Sequence, residues 1–222
     1  MNRRILVVAA HTDDEAMGCG GTIARHVAEG DEVHLLFMTD GVGSREIVAE
    51  EANERLGAAQ QAADILGVSS FTNLKFPDNR MDSVALLDIV KEVELIISNI
   101  APEIIYTHHI GDLNVDHQIT HKAVMTACRP QPSFCVKTIY AFEVLSSTEW
   151  QSLSVAPFLP NVFIDITDYL ATKIRASEAY FEEMREIPHT RSLHHIELLA
   201  KHRGYSVGVH AAEAFMLIRD SL

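Results

Sequence analysis

At 222 residues, 47% of them hydrophobic and with a mean hydropathy of +0.06, the chain reads as a single folded domain, residues 1–222, with enough apolar side chains for a real core. Its formal charge of −13 and the lack of any Lys/Arg cluster argue against a nucleic-acid partner, and no apolar run reaches the roughly 20 residues that cross a bilayer. The basic pair Arg3-Arg4 leads into an apolar run cut off by His11, too short for an export signal; with Cys19, Cys128 and Cys135 lacking metal-type spacing, a cytoplasmic protein with reduced thiols is expected.

In chain order, Arg4–Ala10 is a continuous apolar run ending in polar residues, the pattern of a strand buried on both faces. Gly20–Gly30 has helical spacing and a glycine stop. Glu32–Met38 reads as a second strand, Ser44–Leu66 as a long helix, and Phe71–Phe76 as a third strand. Ser83–Asn99 repeats its apolar residues at helical period, and Glu103–Thr107 is a fourth strand. Strands alternating with such helices predict an α/β fold, Rossmann-like, with a mostly parallel sheet flanked by helices. The second half is less regular. His117–Ala127 and Asp168–Arg185 read as helices, Thr138–Glu143 and Val162–Ile166 as strands, and Ser192–His202 and Ala211–Asp220 as further helical candidates.

In such a sheet, ligands bind at the carboxyl ends of the strands. The polar residues following each strand are therefore expected along one edge: His11, Asp13 and Asp14; then Thr39 and Asp40; then Asp78; then His108, His109, Asp112, Asn114, Asp116 and His117. A hydrolytic zinc site needs three His or carboxylate ligands and an open position. His11 and Asp14, three residues apart on a turn, can face one ion while Asp13 points elsewhere as a base, and His117 from the fourth loop would complete the set. A His-x-x-Asp after a strand is equally compatible with a helix cap or a surface turn. Against that, adjacent aspartates in a buried crevice require a counter-charge. Gly18-Cys19-Gly20-Gly21 does not match a dinucleotide loop and lies beside three acids, so its glycines are read as permitting close backbone approach.

The run Ala10-His11-Thr12-Asp13-Asp14-Glu15 resembles the Ala-His-Pro-Asp-Asp-Glu signature of the LmbE-like (PIG-L) zinc deacetylases. The similarity continues in family order through Gly18–Ile23, Thr39-Asp40-Gly41, Pro77-Asp78, Asp112–His117 and Ala212-Glu213-Ala214-Phe215. The resemblance implies His11, Asp14 and His117 as ligands of one Zn2+ per chain and Asp13 as general base. It also implies removal of an N-acetyl group from a GlcNAc-type amino sugar or its conjugate, a small-molecule substrate. An N-acyl amidase on another small amide, or a non-catalytic metal- or ligand-binding member of the fold, are the alternatives. Homo-oligomers are known among such relatives, and the second-half helices could supply an interface.

Two departures stand out. Thr12 replaces the usual proline, and Asn114 replaces the histidine of the family's His-Pro-Asp-His, leaving an amide donor where a charge is expected. Asp116 is read as a carboxylate that orients a ligand or donor. His210, two residues before the Ala-Glu-Ala-Phe match, is a candidate to supply the missing acid. Asp40, Arg55, Asp78, His109 and Arg191 are carried as substrate contacts. A plain turn role for Asp78, a solvated helix position for Arg55, and a simple helix cap at Ser192 after Arg191 remain open. Which of His108 and His109 faces the edge is open as well.

Overall fold

The computed structural model describes residues 2–41, 49–132, 136–152 and 154–221; the expected start of the long helix at 44–48 and Cys135 lie outside them. A mixed sheet of seven strands runs in the order β3-β2-β1-β4-β5-β7-β6. The strands are β1 (Arg4–Ala9), β2 (Glu32–Thr39), β3 (Ser70–Phe76), β4 (Ile104–His108), β5 (Thr138–Phe142), β6 (Val162–Asp165) and β7 (Ala212–Asp220). The first five are parallel, and β7 enters antiparallel between β5 and β6. The helices are α1 (Asp14–Ala28), α2 (Ala49–Leu66), α3 (Leu86–Ile100), α4 (Val115–Ala127), α5 (Leu170–Glu178) and α6 (Leu193–Tyr205). Among the described residues, no helix is long and apolar enough to cross a membrane.

The apolar run of β1 serves two cores at once, because its side chains alternate across the sheet. Ile5, Val7 and Ala9 pack toward α1 and α2, whereas Leu6 and Val8 pack toward α3 and α4. The strand order reverses at β1: the chain walks from β1 to β2 and β3 on one side, then returns to place β4 and β5 on the other. The loops after β1 and β4 diverge there and open the crevice where such sheets bind ligands.

Three expectations are corrected. The first helix begins at Asp14, not Gly20, and is broken at Cys19, whose φ of −146° is not helical. The break is filled by a buried ion pair. Lys173 Nζ donates to the carbonyls of Ala16 (3.2 Å) and Met17 (2.6 Å), and Glu213 accepts from the amides of Gly21 (3.0 Å) and Thr22 (2.7 Å). The charges thus complement the exposed carbonyls of the first half-helix and the exposed amides of the second. The glycines around the break do permit close approach: a Cβ on Gly18 would lie 2.5 Å from the Phe142 ring, and one on Gly21 2.6 Å from Ile166.

Ala211–Asp220 is strand, not helix. Its Ala, Glu, Met and Leu favour helix, but the slot between β5 and β6 buries Phe215 completely, 5.1 Å from the Tyr106 ring, and tertiary packing overrides propensity. The helix expected over Asp168–Arg185 stops at Glu178 and continues in turns, where Tyr180 and Glu183 reach toward the crevice.

Candidate metal centre

The turn after β1 is anchored before it bends. Ala10 N–H donates to His108 Nε2 (2.8 Å), and its carbonyl accepts from both the amide and the hydroxyl of Thr39 (3.0 Å each). Asp13 then takes φ 115° and ψ −30°, a region that costs a non-glycine residue about 1–3 kcal/mol. Its amide donates to Glu15 Oε2 (3.0 Å). This backbone lets neighbouring Asp13 and Asp14 make separate contacts, Asp14 with the histidines and Asp13 with Arg191.

His11 Nδ1, His117 Nε2 and Asp14 Oδ2 form a nearly equilateral triangle, with edges of 3.2, 3.3 and 3.3 Å. Three ligands at zinc bond lengths near 2.0–2.1 Å in tetrahedral array lie about 3.3 Å apart. Asp14 Oδ1 is buried with no hydrogen-bond partner among the described residues. The donor set therefore fits a zinc-sized ion in both chemistry and spacing.

Each imidazole is oriented from behind by carboxylates. His11 Nε2 lies 3.2 Å from Asp116 Oδ2 and 3.2 Å from Asp78 Oδ1, so that proton belongs on Nε2 and the Nδ1 lone pair faces the triangle. Asp116 is itself fixed by the amides of Asn79 (2.6 Å) and Met81 (3.0 Å). His117 Nδ1 lies 3.1 Å from Asp112 Oδ1, and Asp112 accepts from the Ser147 and Thr148 hydroxyls and the Asn114 amide. Burial alone would lower both imidazoles, but Asp116, Asp14 and Asp78 hold His11 well above its ordinary pKa, and Asp14 with Asp112 holds His117 at about 9. Burial would raise Asp14, yet His117, His108 and His11 hold it well below the usual carboxylate range. The pocket demands positive charge, which a divalent cation would meet.

Asp13 is buried, and burial, offset by Arg191 and reinforced by Asp14, raises it to about 6. Its Oδ2 accepts from Arg191 Nη1 (2.9 Å), and its Oδ1 has no partner among the described residues. Arg191 also donates to Ser146 Oγ (2.6 Å) and lies 3.7 Å from Glu183, which pairs with Arg55. Arg55 and Arg191 thus flank one glutamate beside the aspartate, so both sequence candidates reach this side of the crevice.

The remaining candidates divide. Asp78 lies inside the cluster against His11. Asp40 is half-buried at the same sheet edge, its amide bonded to the Phe76 carbonyl (3.0 Å). Asn114 caps α4: its Oδ1 accepts from Asp116 N–H (2.8 Å) and its Nδ2 donates to Asn79 Oδ1 (3.1 Å), so both ends of the amide have structural partners. His109 points away, toward Phe158 and the Gly111 amide, because alternation along β4 turns His108 inward instead, stacked 3.9 Å from His117. His210 lies outside the cluster. It is exposed and lies by Asp165 at the end of β6, whose carbonyl accepts from Arg25 (2.9 Å) in the last turn of α1. The strand that follows it, β7, lies beyond β5, three places along the sheet from β1.

Four participants have no role assigned from the sequence: Asp112 and Glu15, which it names, and Tyr180 and Glu183, which it does not. Asp112 was legible as a carboxylate five residues before His117, and Glu15 as the end of the motif. Tyr180 and Glu183 come from the irregular turn after α5 and carry no signal in sequence.

Residues 6–128 match the family PIG-L, described as GlcNAc-PI de-N-acetylase. The uncharacterized deacetylase YaiS of Escherichia coli (strain K12) is 32% identical over 78% of this chain and 87% of its own length. The diacetylchitobiose deacetylase of Thermococcus kodakarensis is 26% identical, over 83% of this chain and 71% of that one. Among solved structures, the hydratase GalB of Pseudomonas putida KT2440, which acts on 4-carboxy-2-hydroxymuconate, superposes with a TM-score of 0.80. It is 22% identical, covering 99% of this chain and 98% of that one, a likeness of fold alone.

Proposed function

Since the chain belongs to the PIG-L family, we propose that it is a zinc-dependent hydrolase that removes an N-acetyl group from a GlcNAc-type amino sugar or its conjugate. The observation that carries this reading is the triangle of His11 Nδ1, His117 Nε2 and Asp14 Oδ2, with the buried Asp13 carboxylate next to it. The names of the relatives, deacetylases of a GlcNAc disaccharide among them, support the substrate class. On this reading the 222 residues form one catalytic domain that holds one zinc.

When bound, the metal supplies a Lewis acid and an activated water. His11, Asp14 and His117 hold it, and Asp116, Asp78 and Asp112 fix the imidazole orientations. Asp13, near pH 6, is matched to accept a proton at neutral pH and return it to the departing amine. Arg191 holds that carboxylate in place from one side and leaves Oδ1 for the proton.

The test is metal analysis of protein purified without chelators, together with acetate release from N-acetylglucosamine and diacetylchitobiose. One zinc per chain is expected, with acetate release that chelation abolishes and zinc restores. Asp13→Asn should retain the metal and lose about 100-fold or more in turnover. Release of a longer acyl group instead of acetate would make the protein an amidase. Bound zinc without hydrolysis of any acetamide would make it a binder, and absence of any divalent metal would sink the scheme.

A further inference from the structure

Glu15 closes the His-Thr-Asp-Asp-Glu run but holds no part in the chemistry above. It is fully buried, and both its oxygens are engaged: Oε2 accepts from the Asp13 amide (3.0 Å), and Oε1 accepts from the Tyr180 hydroxyl (2.6 Å). Tyr180 is 3% exposed, belongs to the core between the sheet and its helices, and comes from the turn just after α5.

We propose that Tyr180 and Glu15 are positioning residues that hold the backbone of Asp13 in its left-handed conformation, and so aim the carboxylate that acts as base. The proposal rests on the role assigned to Asp13 above. Three observations carry it. First, Asp13 has φ 115° at the position before a helix, where an unconstrained residue takes a negative, extended φ. Something must hold it, and its amide has a fixed partner in Glu15. Second, Glu15 is itself held only two residues away by a group from a distant part of the chain, so the tie is tertiary and does not relax with the local turn. Third, the two ends of Asp13 are gripped separately. Arg191 takes the carboxylate at Oδ2, and Glu15 takes the amide, which leaves Oδ1 buried with no partner among the described residues.

Without the tie, φ would swing to the negative side and carry the carboxylate with it. Asp14 is less exposed to such a swing, because the amide of His11 donates to its Oδ2 (2.8 Å) and three imidazoles face that same oxygen. Loss of the tie should therefore strike the base and spare the metal. A displacement of about 1 Å in a reacting group can cost on the order of 100-fold in rate.

The variants are Tyr180→Phe, which removes only the hydroxyl, Glu15→Met, which removes both acceptors while filling the same volume, and the pair together, each loaded with zinc or cobalt(II). Tyr180→Phe should lower kcat by about 10- to 100-fold with KM within about twofold, while metal content and the cobalt absorption spectrum stay as in the wild type. Its crystal structure should show Asp13 out of the positive-φ region. The double variant should be little worse than Glu15→Met alone, because both act through one chain of contacts. The proposal is overturned if Asp13 keeps its φ in Tyr180→Phe, if kcat stays within twofold, or if metal is lost in step with activity. Multiplicative losses in the double variant overturn it too. Should Tyr180→Phe fail to fold, Glu15→Met, which has no acceptor for the Asp13 amide, reads the same φ with the ring left in place. If the wild type hydrolyses no acetamide, it is the base role that fails, and the crystallographic φ still decides whether the tie exists.

Discussion

Replacing Asp112 by Asn removes one charge from behind His117 and leaves the shape of the site intact. Asp112 Oδ1 serves the Asn114 amide (2.9 Å) and faces His117 Nδ1 (3.1 Å), while Oδ2 accepts from the Thr148 hydroxyl (2.7 Å). An asparagine can keep its oxygen on the first side and turn its NH2 toward the Thr148 hydroxyl, which rotates to accept. What is lost is the negative charge that makes the imidazole a stronger ligand. Partners of this kind are worth 10- to 100-fold in metal affinity, and because the geometry survives, the loss should lie near the lower bound, about tenfold. Tenfold is about 1.4 kcal/mol, and at fixed, saturating zinc the same amount is removed from the metal's contribution to folding. For a domain of this size that is a fall in Tm of about 3–6 °C in the loaded protein. Asp112→Ala, which also strips the acceptor from the Ser147 and Thr148 hydroxyls, should approach 100-fold. The assay is competition for zinc against a chromophoric chelator, with melting curves at fixed zinc and in EDTA. An affinity within twofold of wild type for both variants would refute the assignment of Asp112 as the partner of a metal-binding imidazole.

Two further predictions concern the frame around the site. Lys173→Met leaves Glu213 buried beside two amides without its cation, and should cost about 3–5 kcal/mol in urea unfolding. Adding Glu213→Gln should recover part of that loss, and a single-variant cost below about 1 kcal/mol would dismiss the ion pair as the filler of the helix break. On the far side, Arg3 and His26 bond to the buried Asp31, whose pKa is held at about 2 against an ordinary 3.8. Burial would raise it, but the bonds to Arg3 and His26 win. Because the folded value is depressed, the stabilisation is complete above about pH 4 and fades as pH falls toward 2. The shift is worth about 2.4 kcal/mol at most, discounted to roughly 1–2 because the Arg3 side chain is partly exposed. Asp31→Asn should lose that amount at pH 7 and almost nothing near pH 2, and an equal loss at both would refute the linkage.

The alternation of strands and helices, the parallel sheet and the loops that carry the His/Asp cluster were legible in sequence because they rest on local pattern. The run Arg4–Ala10 is apolar without alternation because both faces of β1 are covered, and that condition is written in the residues themselves. His11, Asp13, Asp14 and His117 could be named for the same reason: each follows a strand that points into one edge. Tertiary structure decided the rest. Helix-forming residues at 212–220 became a strand because the slot between β5 and β6 rewards an extended chain, and its place beyond β5 leaves His210 beside Asp165, outside the cluster. His108 turned inward and His109 outward by the register of β4, which a pair of adjacent histidines does not reveal. Asn114 found its partners in a helix cap and in Asn79. The contacts of Tyr180 with Glu15, of Glu183 with two arginines and of Lys173 with the broken helix join residues far apart in the chain. Sequence names the groups that can hold a metal because their spacing is local, whereas the groups that hold those residues in place meet only when the chain has closed on itself.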